Sequence, residues 1–146
     1  MKTWVGLCLT ALAPPVLAAP AADWSVYRQG EALELAVDLA SIWREDGLTH
    51  FVNQERFAER QYEKSYDVNF HIRRTTGYAD CAKYQYAFVS SAYYTASNRH
   101  VWSTLYPLPR YSWTWQPVYE NSVADAMMRV VCAAGKTASS KKSNRP

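Results

Sequence analysis

Between Tyr66 and Arg73 the chain alternates apolar and polar residues without a break, Val68, Phe70 and Ile72 on one side and Asp67, Asn69, His71 and Arg73 on the other. That period of two belongs to a strand with one buried face, because successive side chains leave a pleated backbone on opposite sides. It recurs near the start, where Trp24, Val26 and Arg28 alternate with Ser25 and Tyr27, and Leu33, Leu35 and Val37 alternate with Glu34, Ala36 and Asp38. A total of 11 Tyr and 6 Trp in 146 residues strengthens the same expectation, since aromatic side chains favour half-buried pleated surfaces. With 49% hydrophobic and 20% charged residues, the chain is neither disordered throughout nor a polytopic membrane protein.

Turn chemistry divides the rest. Asp46-Gly47 between the apolar runs 41–44 and 48–53 predicts a tight hairpin, because glycine takes a positive φ without a Cβ penalty. Residues 54–64 carry Glu55, Glu59 and Glu63 at every fourth position, with Arg56, Arg60 and Lys64 beside them. In a helix these would be unfavourable like-charge rows, so a solvated strand end and loop suits them at least as well. Gly77 and Asp80 mark a break or bulge before Cys81. Residues 83–94 favour a strand, Ser97-Asn98-Arg99 a turn, and 101–106 another short strand ended by Pro107 and Pro109. Ser122 with Asp125 three residues on resembles a capping box, followed by Val123, Ala126, Met127, Val130 and Val131 at helical spacing up to Cys132 and a stop at Gly135. The fold class is α+β: about six antiparallel strands followed by one C-terminal helix.

The ends read differently. Lys2, an uncharged run from Trp4 to Leu17 and small residues at 18–22 make residues 1–22 a secretory signal peptide, cleaved after Ala18 or Ala21. The apolar run is too short to span a bilayer and holds Pro14 and Pro15, so no integral membrane segment is expected after its removal. Cys8 has the wrong neighbours for a lipidated cysteine, and no lipid anchor is evident. The exported domain, 23–134, keeps Cys81 and Cys132. An even pair in an oxidising compartment normally forms a disulfide, and closing a loop of about 50 residues stabilises by roughly 3–5 kcal/mol in the chain-entropy model. The tail, 135–146, holds Lys136, Lys141, Lys142 and Arg145 and no acid, and is expected to be disordered. Without the ends, 11 basic residues face all 13 acidic ones. The net positive charge is therefore not on a folded face, and nucleic acid is not an expected partner.

The landmarks occur in a familiar order: an opening Trp24, Asp38 with Ser41 and Ile42 behind it, the hairpin Gly47, Phe51-Val52, Asp80-Cys81, Trp115 with Pro117, Ser122 opening a helix, and a closing Cys132. Together they resemble the bacterial surface-adhesin protein E family over nearly the whole exported chain. The resemblance implies an exported protein of Gram-negative bacteria, an antiparallel sheet with its C-terminal helix held by the Cys81–Cys132 disulfide, and binding of host matrix or serum proteins. Two departures stand out: Phe51 where the family tends to have Trp, and Pro117-Val118-Tyr119-Glu120-Asn121-Ser122 where it tends to have Pro-Gly-Ser before the helix. The exported protein is expected in the periplasm, at the cell surface or secreted, and with no lipid anchor evident the leader fits a soluble periplasmic protein better.

Catalytic chemistry has little support. His50, His71 and His100 are isolated from one another, no Cys/His cluster has metal-ligand spacing, and neither a nucleophile elbow nor a phosphate-cradling glycine loop occurs, so no metal, cofactor or catalytic residue is expected. Glu55, Glu59 and Glu63, interleaved with basic residues, suit a solvated face better than a glycosidase pair. The positive signal is for binding: Arg73, Arg74, Lys83, Arg99 and Arg110, near Tyr93, Tyr94, Tyr111 and Trp113, make the Arg-plus-aromatic mixture of protein interfaces. A protein-binding module with a host or envelope partner is the leading expectation. Its rivals are a periplasmic enzyme or small-ligand protein with a pocket lined by Trp102, Trp113 or Trp115, and a homodimer joined through sheet edges.

Overall fold

Strands β1 (Trp24–Gln29), β2 (Leu33–Asp38), β3 (Trp43–Glu45), β4 (Leu48–Glu63), β5 (Val68–Asp80), β6 (Gln85–Tyr94), β7 (His100–Ser103) and β8 (Gln116–Pro117) precede a single helix, α1 (Val123–Gly135), in the computed structural model, which describes residues 20–140. The strands form one antiparallel sheet in the order β1-β2-β4-β5-β6-β7, with β3 added beside β4 and β8 beside β6. The α+β class, the sheet and the C-terminal helix are as the sequence predicts. Most of the leader, with Cys8 and the cleavage position after Ala18, lies outside the described residues, as does 141–146.

Two segments, 54–63 and the tail, differ from expectation, and a third takes one of the two forms the sequence allows. Residues 54–63 continue β4 as strand, because extended backbone gives their charges opposite-sign partners across the sheet: Glu55 bonds Arg73 of β5, and Arg56 lies 4.0 Å from Glu34 of β2. The polar run leaves its mark as a wide bulge between Arg56 and Gln61, where the β5 register advances by only two residues. Gly77 marks a bulge, one of the two forms expected there, and not a break. It coincides with a register shift against β6 and lies under Phe51, whose Cζ would be 2.8 Å from an added Cβ. The tail expected from 135 onward retains structure as far as Ser140, with the Arg44 N–H donating to Ser139 O at 3.0 Å and a parallel bridge between Arg44 and Ser140.

One sheet face carries the main core. Val37, Phe51 and Ala79 meet Met127, Met128 and Val131 of α1, all buried, with Tyr27, Ile42, Tyr84, Tyr86 and Val118 around them. Each of these buried Val, Phe and Met side chains contributes about 1.5–3 kcal/mol. This packing must hold α1, since its 13 residues are at the length where isolated helices are marginal. The helix is capped as expected, Ser122 Oγ accepting from the Asp125 N–H at 3.0 Å. It is also tied down by Cys81–Cys132, Cα–Cα 5.8 Å, which joins the turn after β5 to the last turns of α1. A second, smaller cluster of Val68, Phe70 and Tyr93, with Phe57 and Trp102 against it, fills the far end of the sheet.

Candidate functional site

The five basic residues singled out in the sequence do not converge. Arg73 and Arg74 are neighbours on β5 and so point to opposite faces. Arg73 is engaged by Glu55. Arg74 lies between the rings of Trp24 and Tyr94, its guanidinium carbon 5.1 and 4.4 Å from their centroids, and donates from Nε to Gln54 Oε1 and from Nη2 to Asn98 Oδ1, both at 2.9 Å. Lys83 is exposed in the turn after Cys81, where its N–H donates to Asp80 Oδ1. Arg99 is exposed in the β6–β7 turn. Arg110 pairs with Asp46 at 3.1 Å and Glu45 at 3.7 Å and lies 5.5 Å over Trp113.

Arg110 belongs to the most open apolar surface. After β7 the chain leaves the sheet and exposes Leu105 (87%), Tyr106 (82%), Leu108 and Tyr111 (92%), and before α1 it exposes Tyr119 (71%). This strip is braced from beneath. The Leu108 N–H donates to Val89 O at 2.8 Å, Trp113 Nε1 to Leu108 O at 2.8 Å, and residues Arg110–Ser112 form a 3-10 turn. Trp113 stacks on Tyr78 at 4.6 Å, Tyr78 meets His50 and Trp43 edge-on, Trp43 stacks on His50 at 4.3 Å, and Trp115 closes the row against Trp113. Large apolar side chains are thus offered to solvent on backbone that stays in place, as an interface needs.

Open depressions of about 400, 370 and 670 Å³ lie beside the disulfide, between α1 and Tyr27, and beside β1, none with a wall from Trp102, Trp113 or Trp115. Trp102 instead stacks on Tyr66 at 4.0 Å in the small cluster. No three His, Cys, Asp or Glu side chains among the described residues are grouped to hold a metal ion. The one strongly shifted carboxyl is structural: Asp125 is held at about 2 by hydrogen bonds from Arg129, then Tyr84, then the Asn121 N–H, which together fix the first turn of α1. Burial pushes the Tyr27 hydroxyl up while it donates to Asn53 Oδ1 at 2.7 Å.

Sequence comparison gives this architecture its place. The family model for surface-adhesin protein E matches residues 24–133, from the first residue of β1 into the last turns of α1. The chain belongs to the surface-adhesin protein E family. No protein of curated function matches it by sequence. Among solved structures, protein E from non-typeable Haemophilus influenzae is similar with a TM-score of 0.54 at 17% identity, over 86% of this chain and 88% of that one. A second structure of Haemophilus influenzae protein E gives 0.53 at 17% identity over 82% and 94%. At such identity the likeness establishes the shared fold. The family makes this an exported or surface protein of adhesin type, and no helix among the described residues is long and apolar enough to cross a membrane.

Within this adhesin fold, reading from sequence missed Leu105, Tyr106 and Tyr119 as the exposed members of an aromatic-rich chain. A usable signal was present. From Cys81 to Tyr119 there is no Asp or Glu at all, while Lys83, Arg99 and Arg110 are retained, so the β6–α1 half of the molecule presents apolar and basic groups without acidic ones of its own.

Proposed function

We propose that the domain is a non-enzymatic protein-binding module of the cell envelope that uses the strip of Leu105, Tyr106, Leu108, Tyr111 and Tyr119, with Arg110 at its centre, to hold a host matrix or serum protein or an envelope partner. The single observation that carries this reading is that strip: large side chains exposed on braced backbone in a member of an adhesin family. Tyr and Arg dominate interface energetics because they bury much area at low entropic cost and end in polar groups. Residues 1–22 serve as the export signal in this reading. Lys83 and Arg99 are exposed charges that this reading does not use, whereas Arg73 and Arg74 act through the sheet they brace.

The test is binding of the exported domain to an immobilised panel of matrix and serum proteins at physiological salt. Saturable binding to at least one of them, weakened by Tyr106→Ser, is expected; absence of saturable binding throughout would remove host recognition. Self-association is a second reading, supported by β1, which pairs with β2 alone and leaves its other edge without a strand partner among the described residues. Light scattering decides it, since a strictly monomeric mass at high concentration excludes the dimer.

A further inference from the structure

The wide bulge in β4 and the β6–β7 turn meet over one depression of about 430 Å³ that the binding strip does not use. Its walls include Arg60 from the bulge, His71 from β5 and Arg99 from the turn, with the Thr95 and Ser97 hydroxyls on one side and Phe70 beneath; no acidic residue lines it. Four of the nine arginines of the domain, Arg56, Arg73, Arg110 and Arg129, face a carboxylate. The side chains of Arg60, His71 and Arg99, by contrast, have no hydrogen-bond or ion-pair partner among the described residues. Bringing two guanidinium groups to one concavity without a counter-charge raises its potential, which a bound anion relieves.

The turn that carries Arg99 is also built to stay in place. The Thr95 N–H donates to Arg99 O at 2.9 Å, the Arg99 N–H to Thr95 Oγ1 at 3.1 Å, and the Asn98 N–H to Thr95 O at 3.1 Å, with Asn98 at φ 63°. Asn98 is in turn held by Arg74, which the rings of Trp24 and Tyr94 clamp. Bulges re-aim side chains, and this one sets Arg60 against the same depression. A guanidinium fork matches the oxygens of a sulfate or phosphate ester, while the hydroxyls and the Asn69 amide suit sugar hydroxyls. The volume lies at the small end of the ligand-site range, enough for about one sugar ring and its ester.

We propose that this depression is a second binding site, for a saccharide bearing a sulfate or phosphate ester, with Arg60 and Arg99 as its anion-binding residues. Isothermal titration of the exported domain with a heparin-derived hexasaccharide, its desulfated counterpart and a hexose phosphate tests the site and identifies which ester it takes. The sulfated hexasaccharide, the hexose phosphate or both should bind at least about tenfold more tightly than the desulfated sugar, the tighter one naming the source. Arg60→Gln/Arg99→Gln should abolish that preference with an unchanged melting curve. Lys83→Gln/Lys136→Gln, which removes two exposed charges outside this depression, should leave it intact. Equal affinity for esterified and desulfated sugars overturns the proposal, as does a preference that survives in Arg60→Gln/Arg99→Gln or is lost equally in the lysine variant.

Discussion

The helix-covered core and the segment between β7 and α1 show how differently one chain uses its large side chains. Beneath α1, Phe51, Met128 and Val131 are wholly buried, and Gly77 and Gly135 leave no room for a Cβ, with Phe51 Cζ and Thr49 Oγ1 both 2.8 Å from where one would stand. Across residues 104–119, side chains of similar size are left in solvent while the backbone beneath them is bonded to β6 and the Trp113 ring stacks on Tyr78. Fixed backbone under exposed rings therefore marks a surface prepared for contact, whereas fixed rings under a helix mark a core. In the proposed reading, stability belongs to the first region and recognition to the second.

That division can be broken by substitutions graded by where they fall. Phe51→Ala, which empties the centre of the main core, should cost about 3–5 kcal/mol in urea unfolding. Cys132→Ser should cost about 2–5 kcal/mol and expose α1 to hydrogen exchange while the hairpin at Gly47 stays protected; an unmoved melting curve would mean the disulfide holds nothing that packing does not. Gly77→Ala pushes a methyl group into the Phe51 and Phe88 rings and should cost about 1–3 kcal/mol by thermal melting. Ser122→Ala, which removes the helix cap, should cost about 1 kcal/mol.

The acid limb sharpens the same comparison. Asp125 titrates at about 2 in the folded domain, below the ordinary carboxylate value of about 4 that it regains on unfolding. The unfolded chain therefore binds the extra proton first, so this contribution is complete above about pH 5 and is lost as the pH falls toward 2. Asp125→Asn should flatten the fall in melting temperature over that range; an identical acid limb in the variant would show that Asp125 does not anchor α1.

What the sequence made legible follows from range. Alternation around Val68, Phe70 and Ile72, the Asp46-Gly47 turn and the Ser122 cap are local patterns whose physics acts within a few residues, and each appears where expected. The continuation of β4 through 54–63 was obscured because its justification, carboxylates facing Arg73 and lying beside Arg56, comes from strands distant in sequence. The basic candidates were chosen by residue type, and spacing could not tell that Arg74 would be clamped by Trp24, 50 residues earlier by number, or that Arg99 would join Arg60. Exposure of Leu105 and Tyr106 was hidden for the opposite reason, since an apolar residue after a short strand ordinarily reads as core.

The separation of stability from recognition is tested most directly by Leu105→Ser/Tyr106→Ser/Tyr111→Ser, measured side by side for unfolding and for binding to the matrix or serum protein that the native domain retains. Unfolding free energy within about 0.5 kcal/mol per site of the native value, together with at least about tenfold weaker binding, is the expected pair of results. A variant that binds as the native domain does, or that unfolds as early as Phe51→Ala, would contradict it.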